Sequence, residues 1–457
     1  MLIVIVWWIW MQVLGLAALP LAFRFFRRLP ERGYVFARPL GLLLVSYVFW
    51  LGGSLGLLRN SVGGALFSIL AVAAGSLVLY WRGRSSGGLG HDGEGDPGLR
   101  AWLGNHWRLV LATELLFAGA LGLWALLRAY SPDLTTAGGE KFMEIMYLNS
   151  IGRSEYFPPQ DAWLSGYAIS YYYFGYVMTA LLTLLSGFPA HLTFNVGVAG
   201  LFALTCTGAF GIVYNLVRGF DASARSDEQV SRPSGAVGWG LLGALLVAVL
   251  GNLEGFLEVL YSARLLPEGF WRWLDIKDIN GPFNLELAPS LMPARSGWWW
   301  WRASRVIHEL DPAGNSMGLQ PIDEFPGFSF LLGDMHPHVL ALPFVLLALA
   351  IALRTLLEGR EAKGQTEEQG PWWEPVKRMP LLVPLCLGAL GFLNTWDMPI
   401  YFMVFLAAYG LAQWDRFRGF NWPFIRDVGL TGLTLAILSF LYYLPFYIGF
   451  QSQAGGL

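Results

Sequence analysis

The chain has 457 residues, of which 55% are hydrophobic and only 14% are charged. A soluble globular protein carries about 25% charged residues, so this composition excludes an ordinary soluble domain and places the chain in a lipid bilayer. The formal net charge of −2 provides no basic surface, which excludes nucleic acid as a partner.

Apolar segments of membrane-spanning character recur along the whole chain. A membrane helix needs roughly 20 apolar residues to cross about 30 Å of hydrocarbon. Segments that fit or approach this template predict an all-α polytopic integral membrane protein with about 10 or 11 transmembrane helices and long extracytoplasmic loops. In chain order the predicted spans are 2–23, 39–58, 63–81, 109–127, 172–185, 192–217, 238–251, 339–357, 381–393, 398–413 and 428–450.

Arginine-rich loops predict the orientation, because basic loops stay on the cytoplasmic side of a cell membrane. The long loops 131–171 and 252–338 and the turn 394–399 then share the outer face of the plasma membrane, where they can build one site. The loop 131–171 is predicted outside and Arg218 is predicted in a cytoplasmic loop, so an odd number of crossings should separate them. Two apparent spans lie between them, and the short segment 172–185 is therefore also a candidate re-entrant segment. The basic loops are 24–38, 82–108, 218–232, 354–378 and 416–426.

Two parts of the chain are expected from this order of spans. Residues 1–108 form a predicted N-terminal three-helix membrane module, and residues 109–457 form a transmembrane core with the outer loops 131–171 and 252–338. The last span is followed by no polar tail, which is typical of a fragment at the C-terminus.

The first polar motif opens the loop after the fourth predicted span. Ionisable residues at membrane depth cost about 2.5 to 3.5 kcal/mol, so those kept beside spans are functional candidates. Glu140 and Glu144 are spaced i, i+4 and share one helical face. This geometry suits a general base or a divalent-metal site, and it equally suits a solvated interfacial helix.

A run of three tyrosines, Tyr171, Tyr172 and Tyr173, stands at the entrance of the next span. Aromatic residues at a span entrance commonly mark the headgroup belt of the membrane. Belt anchoring is therefore one interpretation, and a contact surface for a sugar or a lipid phosphate is the other.

The stretch from Glu324 to His338 brings carboxylates and imidazoles against an apolar span. Asp334, His336 and His338 alternate, so an extended backbone would point them in one direction, toward a metal or a phosphate. The imidazoles favour zinc, whereas an aspartate with a phosphate ligand favours Mg²⁺ or Mn²⁺, and the pattern does not choose between them. A structural cluster is the alternative.

Two further polar positions have two interpretations each. Asn394 and Asp397 interrupt two apolar segments, where Asp397 orients a ligand or caps the following helix. Arg302 follows the tryptophans 298–301, which are typical of an interfacial helix. Its guanidinium would reach lipid headgroups or neutralise a diphosphate leaving group.

In combination these motifs resemble the YYY membrane-protein family (domain of unknown function 2298), which has no settled activity. Its plan is similar to the C-type (GT-C) polytopic membrane glycosyltransferases. The motifs that carry the resemblance are Glu140-Lys141, Phe157-Pro158-Pro159, Tyr171-Tyr172-Tyr173, Glu324-Phe325-Pro326, Gly333-Asp334-Met335-His336-Pro337-His338 and Asn394-Thr395-Trp396-Asp397.

The C-type resemblance implies transfer of a sugar from a polyprenyl phosphate carrier to an extracytoplasmic glycan, lipid or protein acceptor. It implies that Glu140 is the catalytic carboxylate, supported by Glu144 or Asp161. The adjacent acidic pair common at the start of this loop is here Glu140 followed by Lys141, which is a departure from that pattern.

The resulting hypothesis is that Glu140 draws a proton from an acceptor hydroxyl. Asp334, His336 and His338, directly or through a divalent metal such as Mg²⁺ or Mn²⁺, would stabilise the departing lipid phosphate. Cationic side chains would add positive charge; the candidates are Lys141, Arg153 and Arg302. The alternatives are a membrane transporter or channel for a small polar solute and an envelope scaffold protein.

Overall fold

A computed structural model describes residues 1–85, 98–134, 139–224, 235–286, 288–292, 299–318, 321–361, 376 and 379–451. Trp298, part of the predicted interfacial helix, lies outside these ranges. Residues 452–457, on which the prediction of a C-terminal fragment rests, also lie outside them. Within them the chain is helical and contains no strand. The predicted all-α fold is confirmed.

The helices of the described residues follow one another with short connections. In chain order they are α1 (Leu2–Phe25), α2 (Ala37–Ser54), α3 (Val62–Ser85), α4 (Leu99–Asn105), α5 (Trp107–Tyr130), α6 (Lys141–Arg153), α7 (Phe174–Ser186), α8 (Ala190–Ala224), α9 (Ala236–Leu245, continued by a π-helical turn Leu246–Leu250), α10 (Glu254–Ser262), α11 (Glu268–Leu274), α12 (Trp299–Ala303), α13 (Pro326–Leu332), α14 (Pro337–Glu361), α15 (Leu382–Leu393), α16 (Asp397–Phe417), α17 (Trp422–Tyr442) and α18 (Leu444–Gly449).

Six helices among the described residues are long and apolar enough to cross a membrane. The bent pair Ala236–Leu250 and Glu254–Ser262, with 77° between its arms, passes the same test as a unit. The apolar helices α7 and α15 are shorter, so the count of 10 or 11 crossings stays a prediction. The six spans are Leu2–Phe25, Val62–Arg82, Trp107–Tyr130, Ala190–Gly219, Pro337–Gly359 and Trp422–Tyr442.

The end of the last predicted span differs from the structure for a local reason. Helix α17 begins at Trp422, because the Asn421 side chain accepts a hydrogen bond from the backbone N–H of Phe424 and caps the helix. It ends at Tyr442, since Pro445 disfavours a continuous helix through the residues before it. The predicted segment 428–450 is therefore two helices, and the first begins earlier than expected.

The chain divides into two compact units. The first unit contains Met1–Ala244 and Asp334–Leu457, and the second contains Leu245–Gly333. In the first unit α5 packs along α8, and α14 packs against α8, α15 and α16. These contacts bring together the end of α5 and the starts of α6 and α14, which carry the polar residues described below.

An aromatic core stabilises the first unit beside the tyrosine run. The rings of Phe174 and Phe392 stack at 5.0 Å between centroids, and Trp50 stacks on Tyr443 at 5.8 Å. Such pairs contribute about 0.5 to 1.5 kcal/mol beyond burial of their area. Because Phe174 begins α7, this core fixes the point at which the chain enters the helix.

The second unit has its own small apolar cluster. Ala303, Phe325 and Phe328 are buried, and Trp299 packs against them. Gly327 lets α13 approach the π-helical turn closely, since a side chain there would collide with the backbone carbonyl of Val249. This packing gives a short, loop-rich unit a core of its own.

Candidate functional site

Two segments far apart in sequence meet in the first unit: the start of α6 and the residues that precede α14. The backbone N–H of Glu140 donates to Asp334 Oδ2 at 3.1 Å. Gly139 permits this contact, because it has a φ of +74° and a Cβ there would collide with the Asp334 carboxylate. The main chain of the α6 start is therefore fixed by a side chain from the other segment.

A second hydrogen bond joins the same segments in the opposite direction. The backbone N–H of Met335 donates to Glu144 Oε2 at 2.8 Å, and the Glu144 side chain is fully buried. The two bonds together clamp Glu140 and Glu144 against Asp334 and Met335. We refer to these four residues as the clamp.

The clamp also brings two carboxyl groups face to face. Glu144 Oε1 and Asp334 Oδ1 are buried, and neither accepts a hydrogen bond from any donor among the described residues. Burial raises the pKa of Glu144 well above its ordinary value, and the neighbouring Asp334 carboxylate raises it further. Protonation of Glu144 would let it donate a hydrogen bond to the Asp334 carboxylate, which would satisfy both inner oxygens.

The accessible side of the site is a line of titratable groups that begins at Glu140. Its side chain is 53% exposed, and its Oε2 lies 3.2 Å from His336 Nε2. His336 Nδ1 lies 3.0 Å from His338 Nδ1, so one imidazole donates and the other accepts. His338 acts electrostatically on Asp397. A proton taken up at Glu140 thus has a hydrogen-bonded route across two imidazoles.

Asp397 is held by Asn394 at the start of α16. The Asn394 amide donates to Asp397 Oδ2 at 3.0 Å, and the Asp397 backbone N–H donates to the Asn394 carbonyl at 3.0 Å. Trp396 rather than Asp397 occupies the N-cap position. The two predicted residues therefore act as one unit, with Asp397 oriented beside His338.

Two buried cations lie next to the clamp. Lys141, the first residue of α6, is 2% exposed, and Arg128, in the last turn of α5, is 4% exposed. Arg128 Nε donates to Asn195 Oδ1 of α8 at 2.9 Å. Arg128 Nη2 and Lys141 Nζ find no acceptor among the described residues. We call these two side chains the open cations, because each keeps a donor without an acceptor in the described part of the first unit.

The tyrosine run has two different roles. Tyr173 is buried in the aromatic core, where its hydroxyl accepts a hydrogen bond from Trp50 Nε1 at 3.3 Å. Tyr171 stacks on Tyr147 of α6 and packs against the tilted ring of Tyr172. Burial and the nearby Glu140 and Glu144 carboxylates raise the pKa of Tyr171. Tyr171 therefore belongs to the site, whereas Tyr173 belongs to the aromatic core next to it.

The structure does not gather the remaining predicted residues into this cluster. Arg153 is exposed at the far end of α6. Asp161 accepts hydrogen bonds from the backbone N–H groups of Trp163 and Leu164, which closes a local turn. Both residues lie in the first unit, and neither has a hydrogen bond to the clamp among the contacts described above.

Glu324 and Arg302 belong to the second unit. Glu324 accepts a hydrogen bond from the Ser329 hydroxyl of α13 at 2.8 Å. Arg302 donates from Nε and Nη2 to the two carboxylate oxygens of Glu258, at 2.6 and 2.5 Å. The Arg302 guanidinium is thus bound by a protein carboxylate.

The predicted metal ligands do not converge on one point. Within the described part of the chain, no group of three or more His, Cys, Asp or Glu side chains is arranged to hold a metal ion. Both ring nitrogens of His336 lie at hydrogen-bond distance from protein groups, and Asp334 Oδ2 is bound to a backbone N–H. A divalent metal such as Mg²⁺ or Mn²⁺ therefore stays a prediction from the sequence, and no step below uses a metal.

Arg128 and Tyr147 were missed in the sequence. The available signal for Arg128 was an ionisable residue in the last turn of an otherwise apolar span, which membrane energetics marks as a functional candidate. Tyr147 offered no comparable signal, because an aromatic residue in an amphipathic stretch is ordinary core. Its role appears only from the stacking with Tyr171.

Comparison with known proteins gives one match. A family model described as "Uncharacterized membrane protein (DUF2298)" matches residues 44–457, which include every residue of the site. No curated protein and no solved structure matches the chain.

Proposed function

The chain belongs to the DUF2298 family of uncharacterized membrane proteins, and from this premise we propose that it is a membrane glycosyltransferase. The enzyme would take a sugar from a polyprenyl phosphate donor and pass it to an acceptor on the extracytoplasmic side. The observation that carries this function is the accessible Glu140 carboxylate, held in place by the clamp and connected to His336 and His338. The resemblance to C-type glycosyltransferases supports the class of donor.

In the proposed reaction Glu140 is the general base. Its carboxylate accepts the proton of an acceptor hydroxyl while the hydroxyl oxygen attacks the anomeric carbon of the sugar. The bond between that carbon and the phosphate oxygen breaks, and its electron pair leaves with the lipid phosphate. A single displacement inverts the configuration at the sugar carbon. The proton then passes from Glu140 to His336, which lies 3.2 Å away.

The clamp explains why a half-exposed side chain can act as a base. Catalysis needs a reacting group held within about 0.5 Å of its productive position. The backbone N–H of Glu140 is bound to Asp334, and the next turn of α6 is bound through Glu144 to Met335. These contacts leave the Glu140 carboxylate accessible while they fix its main chain.

A proton-coupled transporter is the second candidate, and the buried Glu144 and Asp334 pair favours it. Two carboxyl groups that share a proton beside buried cations are typical of proton relays in transporters. The half-exposed Glu140 favours transfer instead, because a base must meet an acceptor from outside the fold.

The test is glycosyl transfer by the purified full chain in lipid nanodiscs, with polyprenyl phosphate sugars and mixed acceptors. Glu140→Gln removes the base but keeps size and hydrogen bonding, and we expect transfer to fall about 10²- to 10⁴-fold. Glu155→Gln is the matched control, since Glu155 is an exposed glutamate paired with Arg59 outside the site. It should transfer at the wild-type rate.

Two results would contradict this function. One is equal transfer by wild type and Glu140→Gln. The other is an absence of transfer from every donor by wild-type protein that moves a small polar solute across liposomes, which would establish the transporter.

A further inference from the structure

The two open cations of the first unit are the starting point. Lys141 and Arg128 are 98% and 96% buried, and each keeps a donor nitrogen without an acceptor among the described residues. A charged group that is buried away from water is strongly destabilising when nothing pairs with it. Two such groups in one buried region point to an anion as their partner, because no acceptor for them lies among the described residues.

Each cation is held from its own helix end. Arg128 lies in the last turn of α5 and donates its Nε to Asn195, whose amide in turn donates to the carbonyl of Pro132 at 3.1 Å. The outer nitrogen, Nη2, has no acceptor among the described residues. Lys141 begins α6, a helix of 13 residues whose N-terminus adds a favourable potential for an anion.

The cations lie close enough to influence each other. Burial lowers the pKa of the Lys141 ammonium, and the charge of Arg128 lowers it further. Three carboxyl groups, Asp334, Glu144 and Asp133, act in the opposite direction from a distance. Like charges in a buried place repel, and an anion in contact with both would remove that repulsion.

The carboxyl groups of Asp334 and Glu144 do not fill this role. Asp334 Oδ2 is bound to the backbone of Glu140, and Glu144 Oε2 is bound to the backbone of Met335. One oxygen of each carboxyl group is thus occupied in the clamp. Lys141 Nζ and Arg128 Nη2 have no hydrogen bond to the remaining oxygens.

We propose that Lys141 and Arg128 bind the phosphate group of a lipid phosphate ester. A guanidinium edge and an ammonium together match tetrahedral phosphate oxygens, and charge-assisted hydrogen bonds of this kind are about twice as strong as neutral ones. The lipid origin of the phosphate rests on the proposed function, whereas the phosphate chemistry rests on the two cations alone. Since Lys141 directly follows Glu140, the bound phosphate would lie beside the proposed base.

The experiment measures binding by full-length protein in a maltoside detergent and a phosphate-free buffer. The probes are a short-chain polyprenyl phosphate, the corresponding polyprenol and inorganic phosphate, with stabilisation against heat as the readout. We expect wild type to bind the polyprenyl phosphate most tightly. Lys141→Met and Arg128→Met should each weaken this binding about tenfold or more.

Arg108→Met is the matched control. Arg108 is an exposed arginine of the same helix as Arg128, about 30 Å away along α5. It should bind the polyprenyl phosphate as wild type does. Equal binding by Lys141→Met or equal binding of polyprenol and polyprenyl phosphate would overturn the site. Equal binding of inorganic and polyprenyl phosphate would uphold the phosphate site and overturn its lipid source.

A second measurement covers variants that fail to fold. Phosphorus NMR of wild type with polyprenyl phosphate should give a bound signal shifted from that of the lipid in detergent, and no shifted signal would overturn the site. Glu140→Gln separates this inference from the proposed function, because it should lose transfer and keep binding. Wild type that binds but does not transfer would refute only the function.

Discussion

Two regions of the molecule bury positive charge in opposite ways. In the second unit, Arg302 meets both oxygens of Glu258, whose side chain is only 1% exposed, and the pair is closed. In the first unit, Lys141 and Arg128 each keep a donor that meets no acceptor among the residues that the structure describes. The carboxylate of Glu258 satisfies the Arg302 guanidinium, so this ion pair stabilises the fold. The donors of Lys141 and Arg128 are instead available to a ligand.

The same comparison separates two residues that looked alike in the sequence. Arg302 and Lys141 were both candidates for a phosphate, because both are cations beside apolar segments. Only the three-dimensional contact distinguishes them, since the partner of Arg302 lies 44 residues away in the sequence. A buried cation becomes a ligand candidate when its donors remain open.

The largest expected effect on stability comes from breaking the closed pair. Glu258→Ala leaves the Arg302 guanidinium beside an empty, buried position. Removing one partner of a fully buried pair costs about 3 to 5 kcal/mol, and we expect about 2 to 3 kcal/mol here because Arg302 is partly exposed. Urea unfolding followed by tryptophan fluorescence would measure the loss.

Glu286→Ala is the control for this experiment, because Glu286 is an exposed glutamate of the same unit. It should change the free energy of unfolding by less than about 0.5 kcal/mol. If Glu258→Ala changes the free energy of unfolding as little, Glu258 is not the partner on which the buried Arg302 guanidinium depends.

The clamp should give the next largest effect, and it should depend on pH. Glu144→Ala leaves the Met335 N–H without its acceptor, at a cost of about 1 to 3 kcal/mol. The folded pKa of Glu144 is raised above its ordinary value of 4.5. Its contribution to stability is therefore fully present below that value and is lost as the pH rises through the folded pKa.

Glu144→Gln tests the shared proton, because an amide can donate to Asp334 as the protonated acid does. We expect this variant to unfold with a free energy within about 1 kcal/mol of wild type at acidic pH. It should also lack the alkaline loss of stability that is assigned to the pair. Identical pH profiles for wild type and Glu144→Gln would contradict the shared proton.

The smallest expected effect comes from the open cluster. Lys141→Met replaces a buried, unpaired ammonium with an apolar chain of similar length. In the absence of ligand we expect unchanged stability or a gain of about 1 kcal/mol. A thermal unfolding scan of apo protein would measure it. A loss above about 2 kcal/mol would mean that Lys141 has a structural partner.

The fold was largely predictable because long apolar segments have few alternatives in a bilayer. The spans at 63–81 and 109–127 match observed helices of candidate spans. The early start of α17 depends on a side-chain cap at Asn421, and its end depends on Pro445. Such local contacts shift helix ends, which a hydropathy pattern cannot resolve.

The candidate site was predictable as a set of residues but not as a geometry. Costly charges beside spans identified Glu140 and Asp334 separately. Their contact runs through a backbone N–H across 194 residues of sequence, and backbone donors leave no mark in the amino-acid pattern. The tyrosine run shows the same limit, since Tyr171 and Tyr173 are identical in type and differ only in the burial and the contacts that the fold gives them.

The clamp limits the motion of the two segments that it joins, the start of α6 and the residues before α14. The amide protons of Glu140 and Met335 are each bound to a carboxyl group from the opposite segment, so neither is released unless the two segments separate. Their exchange with solvent deuterium should be slow and should proceed at a common rate. We expect ionisation of Glu144 to speed both exchanges together, as it would if the two segments separate in one cooperative step.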